Sequence, residues 1–394
     1  MEKNTLNIVV VTLIVAILAS VSIILFSPLF SDESNDTMPW SETLLNSAIL
    51  GGNYLVNATD DQGIFVYDYD PVENVESGSY NILRHAGTVY SMLQLYDVTG
   101  DEQLLLSSEK AINYLLSFEK SFDNGSCIVY DDEIKLGGNG LAIIALAEHA
   151  KITDDLQHLS SMQDLARYIG ESQKNSGEFI SKRYYSTGHI SDFVSEYYPG
   201  EAILSLCRLY ALDKNETWLD IAEKGALYLI NLRSNTSTNN LVHDHWLVMA
   251  LNELYRYRGN SLYFNHSMRI AESIMYAQRD GITKESENSS WLGSYYTPPR
   301  TTPTATRSEG LVAAYHLSHD YGDENTTEHI LNAITLGVQF QLRTQFTSEN
   351  VKNLPNPQKT VGGFHESLTD YDIRIDYVQH NICSILGLHK IIKK

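Results

Sequence analysis

Gly137-Gly138-Asn139-Gly140-Leu141-Ala142-Ile143-Ile144-Ala145-Leu146-Ala147-Glu148 opens with glycines and then runs apolar on every side. A helix of this composition has no wet face, so it needs neighbours all round. The helices flanking it in sequence are different. Asp101-Glu102-Gln103-Leu104-Leu105-Leu106, continuing to Lys110-Ala111-Ile112-Asn113-Tyr114-Leu115-Leu116, is striped with one charged and one apolar face. That is the pattern of a helix wet on one side.

The two kinds alternate along the chain. Apolar periodicity predicts helices near 40–57, 81–98, 101–119, 138–151, 154–173, 196–212, 215–233, 243–258, 261–279, 306–321, 325–345 and 376–391. The even-numbered helices are nearly uncharged beyond their first turns; the odd-numbered ones are amphipathic. Each even helix reaches the next odd one through a tight turn such as Val98-Thr99-Gly100-Asp101. Each odd helix returns through a long loop with strand-like pieces, clearest at 63–70, 125–131, 177–181 and 362–366. The expected fold is all-α: six helical hairpins closed into an (α/α)6 toroid, even helices inside and odd helices outside. The six inner openings then share one mouth. They read Tyr80-Asn81-Ile82-Leu83-Arg84-His85, Gly137 to Gly140, Glu196-Tyr197-Tyr198-Pro199-Gly200, His243-Asp244-His245-Trp246, Thr306-Arg307-Ser308-Glu309-Gly310 and Arg374-Ile375-Asp376-Tyr377. Long loops gathered on one face of a rigid scaffold are where ligand sites are built.

Residues 7–30 form an uncharged apolar run long enough to span a bilayer, with Lys3 before it and Asp32, Glu33 and Asp36 after it. The positive-inside bias predicts a short cytoplasmic tail (1–6), a transmembrane signal anchor (7–30), a linker (31–39) and an extracytoplasmic toroid domain (40–394) at the cell membrane. Export agrees with Asn-x-Ser/Thr sequons at Asn35, Asn57, Asn124, Asn215, Asn235, Asn265, Asn288 and Asn325. A net charge of −21, spread rather than clustered, argues against a nucleic-acid partner. Cys127, Cys207 and Cys383 form no Cys-x-x-Cys pair and read as buried thiols. His243 and His245 stand two apart and share no helical face, so no metal or cofactor is expected.

The hairpin count, the Gly-aromatic mouth loops and the long/short loop alternation over residues 40–394 resemble the six-hairpin (α/α)6 toroid superfamily. That superfamily includes glycoside hydrolases, polysaccharide lyases and sugar epimerases, with D-glucuronyl C5-epimerase-like and unsaturated-uronyl-hydrolase-like branches. The resemblance is architectural and matches no single branch's full catalytic motif. It implies a carbohydrate ligand in the cleft between the long loops. Two other toroid families fit less well. Asp60-Asp61 and Asp68-Tyr69-Asp70 are too loose for a terpene cyclase motif, and neither Cys207 nor Cys383 has the setting of a lanthionine-cyclase zinc ligand.

Arg84, Arg307 and Arg374 fall at equivalent openings of an acidic chain, and Arg suits bidentate binding of carboxylate. An acidic sugar is therefore the preferred ligand. Glu196, Asp244, Glu309 and Asp376 are the mouth carboxylates, with Glu309 and Asp376 the first choices for acid and base; each is equally a cap or dipole partner. His85, His380 and Tyr377 are further candidates for proton transfer. Tyr198, Asp244, His245, Trp291 and Phe364 complete the expected substrate surface, the aromatics as stacking planes for sugar rings. Hydrolysis, lyase cleavage and C5-epimerisation stay open, and so does a non-catalytic glycan-binding or structural envelope role.

Overall fold

The computed structural model describes residues 38–281 and 288–393. The expected anchor at 7–30, its flanking tail, the linker up to residue 37 and the sequon at Asn35 lie outside the described residues. Among the described residues no helix is long and apolar enough to cross a membrane.

The described residues form twelve long helices: α1 Trp40–Asn57, α2 Ile82–Thr99, α3 Glu102–Leu116, α4 Leu136–Thr153, α5 Leu159–Glu171, α6 Tyr198–Asp213, α7 Glu216–Leu232, α8 His245–Arg258, α9 Ser261–Ala277, α10 Thr301–Tyr321, α11 Glu324–Leu342 and α12 Ile375–Ile392. A single turn of helix, Pro357–Thr360, precedes α12. The even-numbered helices form a closed ring, α2 on α4, then α6, α8, α10 and α12, with α12 returning to α2. Residues Leu136 to Ala150 of α4 are all buried, as its uncharged sequence requires. The odd-numbered helices pack outside.

The tight turns have a simple chemistry. Gly100 (φ 67°), Lys214 (φ 57°) and Gly259 (φ 64°) end inner helices in the left-handed conformation. The next residue, Asp101, Asn215 or Asn260, caps the following outer helix with its side-chain oxygen. A left-handed stop followed at once by an Asx cap reverses the chain in two residues.

A repeated device sews the outer helices together. The Nε2 amides of Gln173, Gln278 and Gln345 donate to the carbonyls of Ile221, Ala333 and Ser47 on the next outer helix, at 2.9 Å each. The third of these closes the last hairpin onto the first. A glycine with positive φ follows in each loop; Gly177 (φ 97°) lies under the Lys224 carbonyl and Gly362 (φ 92°) under that of Leu50, where a Cβ would collide. Glycine is required there for both conformation and space.

Seven short strands dress the mouth: β1 Asp68–Asp70, β2 Val75–Glu76, β3 Glu119–Phe122, β4 Gly125–Tyr130, β5 Glu133–Lys135, β6 Lys182–Tyr184 and β7 Ile373–Arg374. β1 pairs with β7 in antiparallel register, Asp68 opposite Arg374, so the first long loop is tied to the last. β3, β4, β5 and β6 make one antiparallel sheet joining the second and third loops. The pieces expected at 177–181 and 362–366 appear only as isolated bridges, at Gln173–Phe179, Gln345–Phe364 and His365–Ile373.

At the opposite end of the ring, Arg208 of α6 ties four inner helices. It donates to Glu253 Oε1 of α8 at 3.1 Å and to Tyr90 Oη of α2 at 3.0 Å, and lies 3.5 Å from Glu148 of α4.

Candidate active site

A cavity of about 340 Å³ opens at the N-terminal ends of the inner helices. Its walls are built from α2 (Arg84), α6 (Tyr198, Glu201), α8 (His245, Trp246), α10 (Thr306, Arg307) and α12 (Asp376, Gln379, His380), with Tyr197, His243 and Tyr296 contributed by loops. In a ring of six helices α6 stands across from α12, so Glu201 and His380 line opposite walls.

α10 starts at Thr301, five residues before the expected opening at Thr306. Pro303 falls in its first turn, where the missing N–H costs nothing. Arg307 and Glu309 are consequently in the second and third turns rather than at a helix terminus. Glu309 is buried behind His380 and does not itself line the cavity. His380 Nδ1 donates to Glu309 Oε1 at 2.7 Å, while Glu309 Oε2 has no protein partner. Burial raises the Glu309 pKa, and His380 partly offsets that rise.

His245, the first residue of α8, is buried with neither ring nitrogen bonded to protein. Its ring meets Trp246 at 4.8 Å and His380 edge-on at 5.5 Å between centroids. Burial, helped by the positive fields of His380 and Arg307, drives its pKa well below the ordinary histidine value. His245 is therefore neutral at physiological pH. One donor atom from each of His245, Glu309 and His380 lies within 4.8 Å of the others, and among the described residues these are the group that could hold a metal. The His380–Glu309 hydrogen bond already uses one atom of each partner, which suits the set better to carrying protons. His243 points away from His245: its Nδ1 accepts from Arg307 Nε at 2.8 Å.

Arg84 and Arg374 converge on one carboxylate. Arg84 Nε lies 3.1 Å from Asp376 Oδ2, and Arg374 donates to both oxygens of Asp376, at 2.6 and 3.1 Å. Asp376 is thus clamped between two guanidinium groups, which engage its oxygens on both sides. Arg374, stacked on the Tyr377 ring at 4.4 Å, supports Asp376 instead of lining the cavity. Arg307 differs from both. It donates to His243, to the Pro303 carbonyl at 2.8 Å and to Tyr296 Oη at 2.7 Å. Its guanidinium stands 4.9 Å from the ring centres of both Tyr295 and Tyr296. It pairs with no carboxylate among the described residues, and it faces the cavity. Tyr296 is held at φ 60°, a left-handed conformation unfavourable for a bulky residue.

Several expected site residues lie elsewhere. Glu196 is exposed outside the cavity, since α6 begins two residues later. His85 is wholly buried, Nδ1 bonded to Tyr80 Oη at 2.7 Å and Nε2 to the Ala111 carbonyl at 2.8 Å; burial takes its pKa down to about 4. Both nitrogens are committed to packing. Tyr377 is buried with its hydroxyl donated to Glu366. Asp244 caps α8 through Leu247 N–H at 3.0 Å and lies 3.5 Å from Arg233. Burial lifts its pKa to about 6 against the pull of Arg233. Phe364 is fully buried against α1, and Trp291 sits under the Arg279 guanidinium at 5.4 Å; neither lines the cavity. Tyr198 does line it, as expected.

Glu201 was missed by the sequence reading, which stopped at Gly200. It lies one helical turn beyond Tyr197, buried, lining the cavity, with Oε2 unpartnered. Burial, with the Asp244 charge adding, pushes its pKa up to about 8. The glycines of α4 make room for it: a Cβ on Gly137 would strike the Glu201 carboxylate, and one on Gly140 would stand 3.0 Å from the Glu201 backbone. The legible signal was a carboxylate in the first turn of an inner helix, ahead of the apolar run Ala202 to Cys207 and facing a glycine-rich neighbour.

No family model matches the sequence, and no curated protein matches it either. Solved structures do. A D-mannose isomerase superposes with a TM-score of 0.67 at 14% identity, covering 92% of this chain and 100% of its own. Cellobiose 2-epimerase from Bacillus thermoamylovorans gives 0.67 at 12% identity, over 88% and 98%. An unsaturated glucuronyl hydrolase specific for heparin gives 0.63 at 11% identity, over 90% and 99%. At such identities the likeness establishes architecture and leaves chemistry to the site. The chain has the six-hairpin (α/α)6 toroid fold found in sugar isomerases, epimerases and glycosidases.

Proposed function

We propose that this protein is a carbohydrate-active enzyme that moves a proton at a sugar carbon next to a carboxylate, as in C5-epimerisation of a uronic acid unit. The observation that carries the reading is the His380–Glu309 pair at 2.7 Å beside a neutral His245. With Nδ1–H given to Glu309, the Nε2 lone pair of His380 is the base. It takes the proton, and the C–H electron pair moves into the carboxylate, giving an enediolate. Arg307, short of a carboxylate partner and framed by two tyrosines, meets the substrate carboxylate and its developing charge. Glu201, protonated at neutral pH, returns a proton from the opposite wall and inverts the centre. Solvent then restores both groups. The apolar run at 7–30 would hold this enzyme at a membrane with its toroid outside.

Glycoside hydrolysis is the second reading, favoured by Glu201 as a protonated acid in the cavity. Its base would have to be Asp376, which two arginines engage. Incubating the full chain with uronic-acid oligosaccharides separates these readings. Inverted C5 centres in chains of unchanged length support the proposal. Shorter saturated chains support hydrolysis, a new double bond supports a lyase, and binding with no turnover leaves a glycan-binding protein.

A further inference from the structure

The described residues carry seven sequons, and their asparagines (57, 124, 215, 235, 265, 288 and 325) are all exposed. None of them lines the cavity. Four of them fall into two contrasting structural kinds. Asn265 lies inside α9 and Asn325 inside the first turn of α11, so their backbones are fixed as helix. Asn215 and Asn288 are instead bent into Asx turns by the residue two positions on, the same residue that supplies the sequon hydroxyl. Asn215 Oδ1 accepts from Thr217 N–H at 3.1 Å. Asn288 Oδ1 accepts from both the N–H and the hydroxyl of Ser290, at 2.9 and 2.8 Å.

This geometry bears on amide chemistry. An Asx turn holds the side-chain carbonyl against the local backbone, and at Asn288 the hydroxyl of the third sequon residue also reaches the amide. Within a helix the backbone cannot bend to make that turn.

We propose that the toroid wall is N-glycosylated, and that the turn-presented sequons Asn215 and Asn288 are the preferred acceptors. The donor class is an oligosaccharide linked through pyrophosphate to a lipid. Asn Nδ2 attacks the anomeric carbon of the first sugar, a C–N bond forms, the C–O bond to pyrophosphate breaks, and the amide proton leaves to a base of the transferase. No oxidant or reductant is involved. Asn215 lies at the end of the toroid away from the mouth and Asn288 in a mouth-side loop, so glycans there leave the cavity open. The inference is independent of the reaction at the active site.

The test is site-by-site occupancy by mass spectrometry on the full chain, produced in an exporting host that glycosylates a co-expressed control protein. Glycan removal by amidase in heavy-oxygen water marks each occupied asparagine as labelled aspartate. The expected result is occupancy at Asn215 and Asn288 several-fold above that at Asn265 and Asn325. Thr217→Val should remove the Asn215 glycan and Thr217→Ser should keep it. Unmodified Asn215 and Asn288 beside a modified control, or equal occupancy at the two helical sites, overturns the proposal.

Discussion

His380 Nδ1 donates to Glu309 Oε1 at 2.7 Å across the contact between α12 and α10. The bond fixes which imidazole nitrogen faces the cavity, and it places a buried carboxylate where it stabilises an imidazolium. Removing either partner should therefore affect the chemical step more than binding. Glu309→Gln is expected to lower kcat about 10²-fold with little change in KM, and His380→Asn to lower it about 10²- to 10⁴-fold. Steady-state kinetics on a uronic-acid oligosaccharide checks this; a rise in KM at unchanged kcat would assign the pair to binding.

Arg307 lacks the carboxylate partner that Arg84 and Arg374 share in Asp376. Arg307→Ala should weaken binding of an acidic sugar about 10- to 100-fold, the worth of a charge-assisted hydrogen bond, and leave a neutral analogue nearly unaffected. Equal losses for both ligands would mean that Arg307 only braces Tyr296 and His243.

Glu201 makes folding depend on pH in a defined sense. Its pKa rises from 4.5 to about 8 in the folded protein. The native state keeps a proton that the unfolded chain gives up, so this stabilisation is full below the unfolded value and is lost as pH rises through the folded one. The difference in Tm between Glu201→Gln and wild type should move in favour of the variant as pH is raised from about 5 to 9. A difference that does not vary with pH would show that Glu201 is ionised throughout. In the proposed reaction the same group supplies a proton, so kcat should also fall on the alkaline side.

Arg208 tests the architecture apart from the chemistry. Its loss leaves Glu148 and Glu253 without their shared cation inside the ring. Arg208→Ala is expected to cost about 3–5 kcal/mol, and Arg208→Met with both glutamates changed to Gln much less. Denaturant unfolding checks the pair of values.

Much of the fold was legible because burial on all sides and burial on one side leave different sequence patterns, and the ring alternates between them. Asp101 and Asn215 marked tight turns for the same reason: a capping side chain acts within three residues of itself. The site was less legible. The start of α10 lies five residues before the expected one, because Thr301 to Ala305 carry no apolar stripe that would mark them as helix. That Arg84, almost three hundred residues away, joins the neighbouring Arg374 on Asp376 is not visible in sequence. His85 and Phe364 were drawn into the site by position alone, although their side chains turn into the core. Glu201 escaped notice because its importance comes from burial against Gly137, a contact between two helices.

The most direct measurement is solvent deuterium incorporation. Uronic-acid oligosaccharides are incubated with the full chain in deuterated water and analysed by mass spectrometry and NMR. The account predicts one deuterium at C5 of each converted unit, chains of unchanged length, and loss of the label with His380→Asn. Shortened saturated chains carrying no carbon-bound deuterium would contradict it.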